Sequence, residues 1–351
     1  MIKKIFEFFP TPRFLKFSYV GLDIGGESLH YTELISTGES FRLGRYGKKT
    51  FEKGDSIMTN DSLKNALREI KKEDNISYVK VSLPEEETYL FTTEVVGDDD
   101  QEIKDYLEFH LEENVPVLGS DALFDYYILP KSEGKKIAVV SVVSREVINR
   151  YSSLLDECGI TVVSFMVESG ALSRSVVKNG YKGTHILVYL SREKTMLAVA
   201  EEGFVQFSST SSFGGAQLTS AIQKQFGVDV DEARKIKYKE SLFKNNADGE
   251  AYSFTLANAI SVLRDEIQRV SAYWMKLPQG TNSPIEKMIL CGKDAAIPGF
   301  SDYLSSSLKM PVEISNVWMN VSYYDNIVPP ISFEDSLSYA TSVGLVLSTK
   351  I

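Results

Sequence analysis

The chain is poor in the side chains that bind transition metals, with two cysteines and three histidines among its 351 residues. Cys158 and Cys291 stand at no metal-like spacing and lie inside apolar runs, which reads as buried thiols in a reducing compartment rather than a disulfide. The scattered histidines make a zinc centre a poor fit. Excess positive charge is missing too. With 38 Lys and Arg against 48 Asp and Glu, a net charge of −10, no clustered cations are available to neutralise nucleic-acid phosphates, and the acidity favours solubility instead. No stretch of about 18 apolar residues occurs, so no membrane-spanning helix is expected. The start of the chain also lacks the apolar core and small-residue cleavage site of a secretory signal, and the cytoplasm is the expected compartment. Common catalytic signatures are absent as well: no GxSxG, no GxxxxGK[ST], no HExxH, and no cysteine with a neighbouring histidine.

What remains is a chain of ordinary globular composition, 43% hydrophobic, with room for two domains or one bilobed unit. Its first 17 residues depart from the acidic average. Lys3, Lys4, Arg13 and Lys16 alternate there with Ile2, Ile5, Phe6, Phe8 and Phe9, while Pro10 and Pro12 limit any helix to about two turns. Such an arm suits an anionic membrane surface or packing onto its own domain.

Strand-like alternation runs through Tyr19–Ile24, Leu29–Leu34 and Phe41–Thr50. A helix with Leu63, Ala66, Leu67 and Ile70 on one face follows from an Asn60 or Asp61 cap, and Tyr78–Leu83 closes a βββαβ unit. From Pro84 to Ser144 the order is strand, helix, strand, strand, with the acidic run Asp98-Asp99-Asp100 capping the helix Glu102–Asn114, where carboxylates favour the exposed N–H groups. A helix over Arg145–Cys158 and a strand over Ile160–Met166 lead to a second half. There His185–Leu190, Thr195–Ala200 and Phe204–Thr210 repeat the opening three strands, and helices over Gly215–Phe226, Asp231–Tyr238 and Tyr252–Leu277 follow. Two similar lobes, each with a hairpin turned inward, are the physical signature of a cleft.

The most informative stretch is SYVGLDIGGESLHYTEL, where an apolar strand ends in Asp23, turns through Gly25-Gly26 and leaves as another strand. Glycines there let backbone N–H groups approach a polyphosphate. Three later segments occur in the order that an actin-like ATPase requires: FGGAQLTSAIQKQFGVDVDEARKIK (Phe213–Lys237), KMILCGKDAAIPGFSDYL (Lys287–Leu304) and LSYATSVGLVLS (Leu337–Ser348). Together with the hairpin, these segments resemble the type IV pilus assembly protein PilM family, relatives of the cell-division protein FtsA, from about Ser18 onward.

The resemblance implies an α/β, actin-like (ribonuclease H-like) bilobed fold with duplicated βββαβ cores and a small inserted α+β domain. The expected division is an arm at 1–17, a first lobe at 18–83 and 145–180 with a closing helix at 333–351, and an inserted domain at 84–144. A second lobe follows at 181–228 and 285–332, with a helical subdomain at 229–284. The implied ATP contacts are Asp23, Gly25, Gly26, Ser28, Gly214, Gly215, Glu232, Lys235 and Gly292, with Asp23 toward magnesium, an ion that prefers oxygen ligands. Gly214-Gly215 offers a helix N-terminus for an anion.

Several positions depart from that pattern. Glu27 puts a carboxylate in the phosphate loop, and His30, largely neutral at pH 7, replaces a common lysine. Tyr189, Leu190 and Ser191 stand where relatives have an Asp-Ile-Gly turn, which removes the carboxylate that orients metal or water. Arg192 reads either as a phosphate clamp or as a surface cation.

These residues imply at most nucleotide binding or weak ATP hydrolysis. The expected role is a scaffold of a type IV pilus or related secretion machine. It would bind the cytoplasmic N-terminal tail of a PilN-like bitopic membrane protein in a groove lined from Thr88–Ser144 and Ile160–Glu168, within the pilus inner-membrane complex. Self-association and peripheral membrane contact belong to the same expectation, at the inner face of the membrane and with no nucleic-acid partner. Two alternatives stay open: an FtsA-like filament-former of cell division, and an active actin-fold ATPase using Asp23 with another carboxylate such as Glu168.

Overall fold

The computed structural model describes residues 18–36, 41–97, 99–129, 136–243, 247–277, 283–321 and 329–347. The basic arm at 1–17, Asp98 of the acidic run and the terminal residues 348–351 lie outside the described residues.

Strands β1 (Val20–Ile24), β2 (Ser28–Ser36) and β3 (Phe41–Thr50) form an antiparallel meander. Helix α1 (Asp61–Asp74) then returns the chain so that β4 (Tyr78–Leu83) runs parallel to β1. The Asn60 side chain accepts the Leu63 N–H at 2.9 Å to start α1, and Asn75 ends it in the left-handed region at φ 52°.

The chain next makes a separate three-stranded antiparallel sheet in the order β5-β7-β6, from β5 (Thr88–Val95), β6 (Ala122–Ile128) and β7 (Lys136–Ser144). It packs against α2 (Asp100–Asn114) through Ile103, Leu107 and Leu111. Of the acidic run, Asp99 supplies the cap, accepting the Glu102 N–H at 2.9 Å. Helix α3 (Arg145–Glu157) leads back to β8 (Thr161–Val167), which completes a first sheet ordered β3-β2-β1-β4-β8. Helix α4 (Glu168–Val176) follows at once.

The second half repeats this topology. β9 (Thr184–Leu190), β10 (Thr195–Glu201), β11 (Phe204–Ser211), β12 (Ile285–Cys291) and β13 (Val312–Ile314) form a sheet ordered β11-β10-β9-β12-β13. Its helices are α5 (Gly215–Phe226), α6 (Val230–Lys239), α7 (Ala247–Lys276) and α8 (Phe300–Leu308). The apolar stripe of α7, Leu256, Ile260, Leu263, Ile267, Val270 and Trp274, is fully part of the core, and the helix begins at Ala247, ahead of the expected start at Tyr252. Cys158 and Cys291 are buried free thiols, as the apolar runs around them imply.

Two short helices close the chain onto the first sheet: α9 (Phe333–Ser336), then a 3-10 turn at Leu337–Tyr339, then α10 (Ala340–Val346). Close approach here requires glycine. A Cβ on Gly21 of β1 would stand 2.1 Å from the Ser342 carbonyl, and one on Gly344 would stand 1.7 Å from the Ala171 carbonyl of α4. In return the Thr32 and Ser342 hydroxyls meet at 2.7 Å in the buried seam. The repeated sheets thus turn their equivalent hairpins, β1–β2 and β9–β10, toward a common interior.

Candidate functional site

Asp23, the last residue but one of β1, is buried, accepting a 2.6 Å hydrogen bond from the Ser82 hydroxyl near the end of β4. Burial raises its carboxyl above the ordinary range, with Ser82 and Lys194 pulling it back. Strand pairing puts Asp23 opposite His30 and His30 opposite Lys48, so the three side chains share one face of the sheet. Tyr339 of the closing turn covers His30 edge-on at 5.2 Å between ring centres. That burial, with Lys48 beside it, drives the imidazole down to about 3 and leaves Nε2 without a hydrogen-bond partner.

The Gly25-Gly26 turn is held by the Gly25 N–H donating to the Ser28 carbonyl at 2.9 Å. Neither glycine adopts a positive φ. Their use is close approach: a Cβ on Gly26 would lie 3.3 Å from a carboxylate oxygen of Glu193 across the cleft.

The β9–β10 turn is the opposite wall. Tyr189 is buried, its phenol held well above the usual range by burial and by Asp23. Ser191 closes the turn, its N–H and hydroxyl both donating to the Lys194 carbonyl, at 3.0 and 2.8 Å. The charged residues of this turn then reach into the first lobe. Arg192 pairs with Glu27, Glu193 with Lys53 at 2.5 Å, and Lys194 with Glu86 at 2.7 Å and Glu168 at 3.6 Å. Glu168, the first residue of α4, is buried, and burial lifts its carboxyl while Lys194 opposes the shift. Glu85 is buried beside it and accepts the Ser169 N–H at 3.1 Å and the Ser169 hydroxyl at 2.9 Å.

The anion site expected at Gly214-Gly215 is taken by the protein's own acceptors. The Gly214 N–H donates to the Gln217 side chain at 3.0 Å, the Gly215 N–H to the Ser191 carbonyl at 2.9 Å, and the Ala216 N–H to the Arg192 carbonyl at 2.7 Å. Asp294 lies directly on Gly215, where an added Cβ would meet its carboxylate at 1.5 Å. That carboxylate is bonded to Lys237 of α6 at 2.6 Å and to the Tyr238 hydroxyl at 2.7 Å. Glu232 and Lys235, the residues expected toward ribose and base, are exposed on α6 and paired with each other at 3.2 Å. Gly292 has φ 86° and backs onto the Leu190 carbonyl.

The expected contacts Asp23, Gly25, Gly26, Ser28, Gly214, Gly215 and Gly292 thus lie around one cleft. Magnesium and a triphosphate do not fit this arrangement, because the N–H groups of the α5 terminus are engaged and an ammonium faces the carboxylates. Among the described residues, no group of three or more His, Cys, Asp or Glu is placed to hold a metal ion. Sequence reasoning missed Lys194, Lys237 and Glu85. The alternating signs of Arg192-Glu193-Lys194 were a legible signal for the first, and the i, i+4 spacing of Lys237 from buried Ala233 for the second.

A second concavity, of about 460 Å³, opens between the small sheet and α3. Glu87, Tyr89, Val117, Leu118, Glu146 and Arg150 line it, with Leu118 70% exposed and Arg150 paired to Glu87.

Comparison with known proteins accords with this geometry. The profile of the family described as type IV pilus assembly protein PilM matches residues 21–350. The chain is similar to one solved in a PilM-PilN type IV pilus biogenesis complex, at 18% identity and a TM-score of 0.74, over 95% of this chain and 98% of that one. It is also similar to the ethanolamine utilization protein EutJ from Carboxydothermus hydrogenoformans, at 14% identity and a TM-score of 0.54, over 96% and 90% of the two chains. MreB 5 of Spiroplasma citri bound to AMPPNP matches at 13% identity and 0.53, over 93% and 94%. These likenesses carry the fold, which is actin-like. With the family profile matched over nearly its whole length, the chain belongs to the PilM family of type IV pilus assembly proteins.

Proposed function

We propose that this protein is a PilM-like adaptor at the inner face of the cell membrane that binds the cytoplasmic N-terminal tail of a PilN-like bitopic protein, with the actin-like cleft kept as a structural core. The observation that carries the reading is the groove between the small sheet and α3. It combines exposed apolar contacts, Leu118 and Tyr89, with the carboxylates of Asp121 and Glu146 beside the Arg150–Glu87 pair. An extended peptide bearing an apolar anchor and a basic residue suits such a groove, with side-chain pockets for specificity. The solved relative in a PilM-PilN complex supports the choice of partner. No helix among the described residues is long and apolar enough to cross a membrane, so membrane attachment through a bitopic partner is consistent with the chain.

The second half of the reading is a degenerate ATP cleft. Tyr189 in place of a carboxylate and the engaged N–H groups of α5 support it. A fluorescence-anisotropy titration with the labelled tail of the PilN-like protein tests the adaptor role. Saturable binding that Leu118→Asp weakens at least tenfold and Asp23→Ala leaves unchanged is the expected result. No binding, or binding indifferent to Leu118, refutes it.

A further inference from the structure

The β9–β10 turn makes an unusual set of contacts for four residues. In sequence it reads serine, plus, minus, plus, and the first lobe answers with minus, plus, minus: Glu27, Lys53, and the pair Glu86 and Glu168. These partners come from four separate segments, namely the first hairpin, the loop after β3, the 3-10 turn at Glu85–Glu87 and the start of α4. The two outer pairs are solvated and individually weak. The inner one differs. Lys194 is 28% exposed, Glu168 is 9% exposed, and the buried Asp23 carboxylate lies within the field of the same ammonium. Buried carboxylates require a counter-charge or a proton. In actin-like ATPases an oxygen-ligated divalent ion, delivered with the nucleotide, is the usual way to supply one at such a position.

We propose that Lys194 is a built-in counter-ion that takes the place of the nucleotide-borne metal, and that the turn Ser191–Lys194 thereby staples the two lobes in a closed arrangement that needs no bound nucleotide. The proposal rests on the degenerate-cleft reading above and not on the peptide groove. Three features agree on it. The ammonium stands among the carboxylates that would otherwise need a metal. The carbonyls of Ser191 and Arg192 fill the α5 terminus where phosphate oxygens would accept. The side chain of Glu193, paired with Lys53, occupies the space against Gly26, at the phosphate turn itself.

The test uses the full-length protein and two variants, Lys194→Met and Lys194→Met with Glu168→Gln, followed by thermal unfolding with and without magnesium ATP. The parent is expected to unfold at the same temperature in both conditions, with an unchanged radius of gyration by small-angle scattering. At pH 8.5, above the value of about 8 to which burial lifts Glu168, Lys194→Met is expected to unfold several degrees lower, because it leaves the Glu168 and Asp23 carboxylates uncompensated. The double variant, with one carboxylate neutralised, is expected to regain most of that loss. Folding of the double variant where the single fails to fold is the same result in stronger form. A rise of several degrees for the parent in magnesium ATP, abolished by Asp23→Ala, overturns the proposal. So does a double variant no more stable than the single. Peptide affinity is read at another site, so a failed tail titration beside these expected results discards the partner and leaves the counter-ion standing.

Discussion

Changing Asp294 to alanine is the sharpest test of how the second lobe holds its cleft-side wall together. The Asp294 and Lys237 side chains are 7% and 5% exposed and 2.6 Å apart, and the Tyr238 hydroxyl donates to the same carboxylate oxygen. Without Asp294 the Lys237 ammonium keeps the Gly215 carbonyl at 3.2 Å and the Tyr238 ring at 5.0 Å, neither of which supplies a full counter-charge. Breaking a buried pair from one side costs about 3–5 kcal/mol, because the remaining charge is left desolvated. At roughly 2–4 °C per kcal/mol for a cooperative unit of 150–250 residues, the midpoint should fall by about 6–20 °C. Differential scanning calorimetry reads this directly. The double variant Lys237→Met with Asp294→Asn removes both charges and should cost at least about 2 kcal/mol less than Asp294→Ala, since an uncharged pair carries no stranded ion. A loss below about 1 kcal/mol for the single variant, or a double variant whose cost is the sum of its parts, would refute this account and leave Lys237 free for another role.

Other consequences follow from the same geometry. His30, held down to about 3 by burial and by Lys48, takes up fewer protons when folded than the ordinary value of 6.5 implies, so its contribution to stability is complete above pH 6.5 and is lost as pH falls toward 3. The slope is on the order of 1.4 kcal/mol per pH unit. Because Glu168, raised by burial, titrates with the opposite slope in the same region, the readout is the urea midpoint of the parent minus that of His30→Leu at pH 7.5 and 5.0. A difference that does not change with pH would count against the buried neutral imidazole. Gly344→Ala drives a methyl into the Ala171 carbonyl and should cost about 1–3 kcal/mol or more by forcing α10 from α4, read as a lower thermal midpoint; an unchanged midpoint would show that the seam yields freely. Glu33, brought down to about 2 against its burial by hydrogen bonds from Arg45 and Ser18, stabilises the fold above about pH 4.5 and loses that contribution as pH falls toward 2. Glu33→Gln should therefore flatten the acid limb of a pH–stability curve, and an unaltered limb would argue that the Arg45 contact is not maintained in solution.

Much of the architecture was legible because it rests on local period and on duplication. The α7 stripe from Leu256 to Trp274, the caps at Asn60 and Asp99, and the two strand triplets preceding α1 and α5 are each short-range patterns, and each formed where the pattern stands. The cleft was legible in part, since Asp23, Gly25, Gly26, Gly214, Gly215 and Gly292 do assemble around it. What they do there was not legible. Gly26 lies against Glu193 and adopts no left-handed turn, and Gly215 is needed for the approach of Asp294.

The sequence by itself determined the two strand triplets and the helical stripes, because strand alternation and helical spacing are properties of neighbouring residues, while the actin-like fold class and the loss of a carboxylate at Tyr189 came from the resemblance to the family. Only the tertiary structure decided that His30 is sealed by Tyr339 from the far end of the chain. It also decided that α5 gives its terminal N–H groups to Ser191 and Arg192, and that Lys194 meets Glu86 and Glu168. The reason is electrostatic reach: whether a charge lies on a solvated turn or neutralises a buried carboxylate depends on which segments burial brings within about 4 Å, and sequence distance carries no information about that.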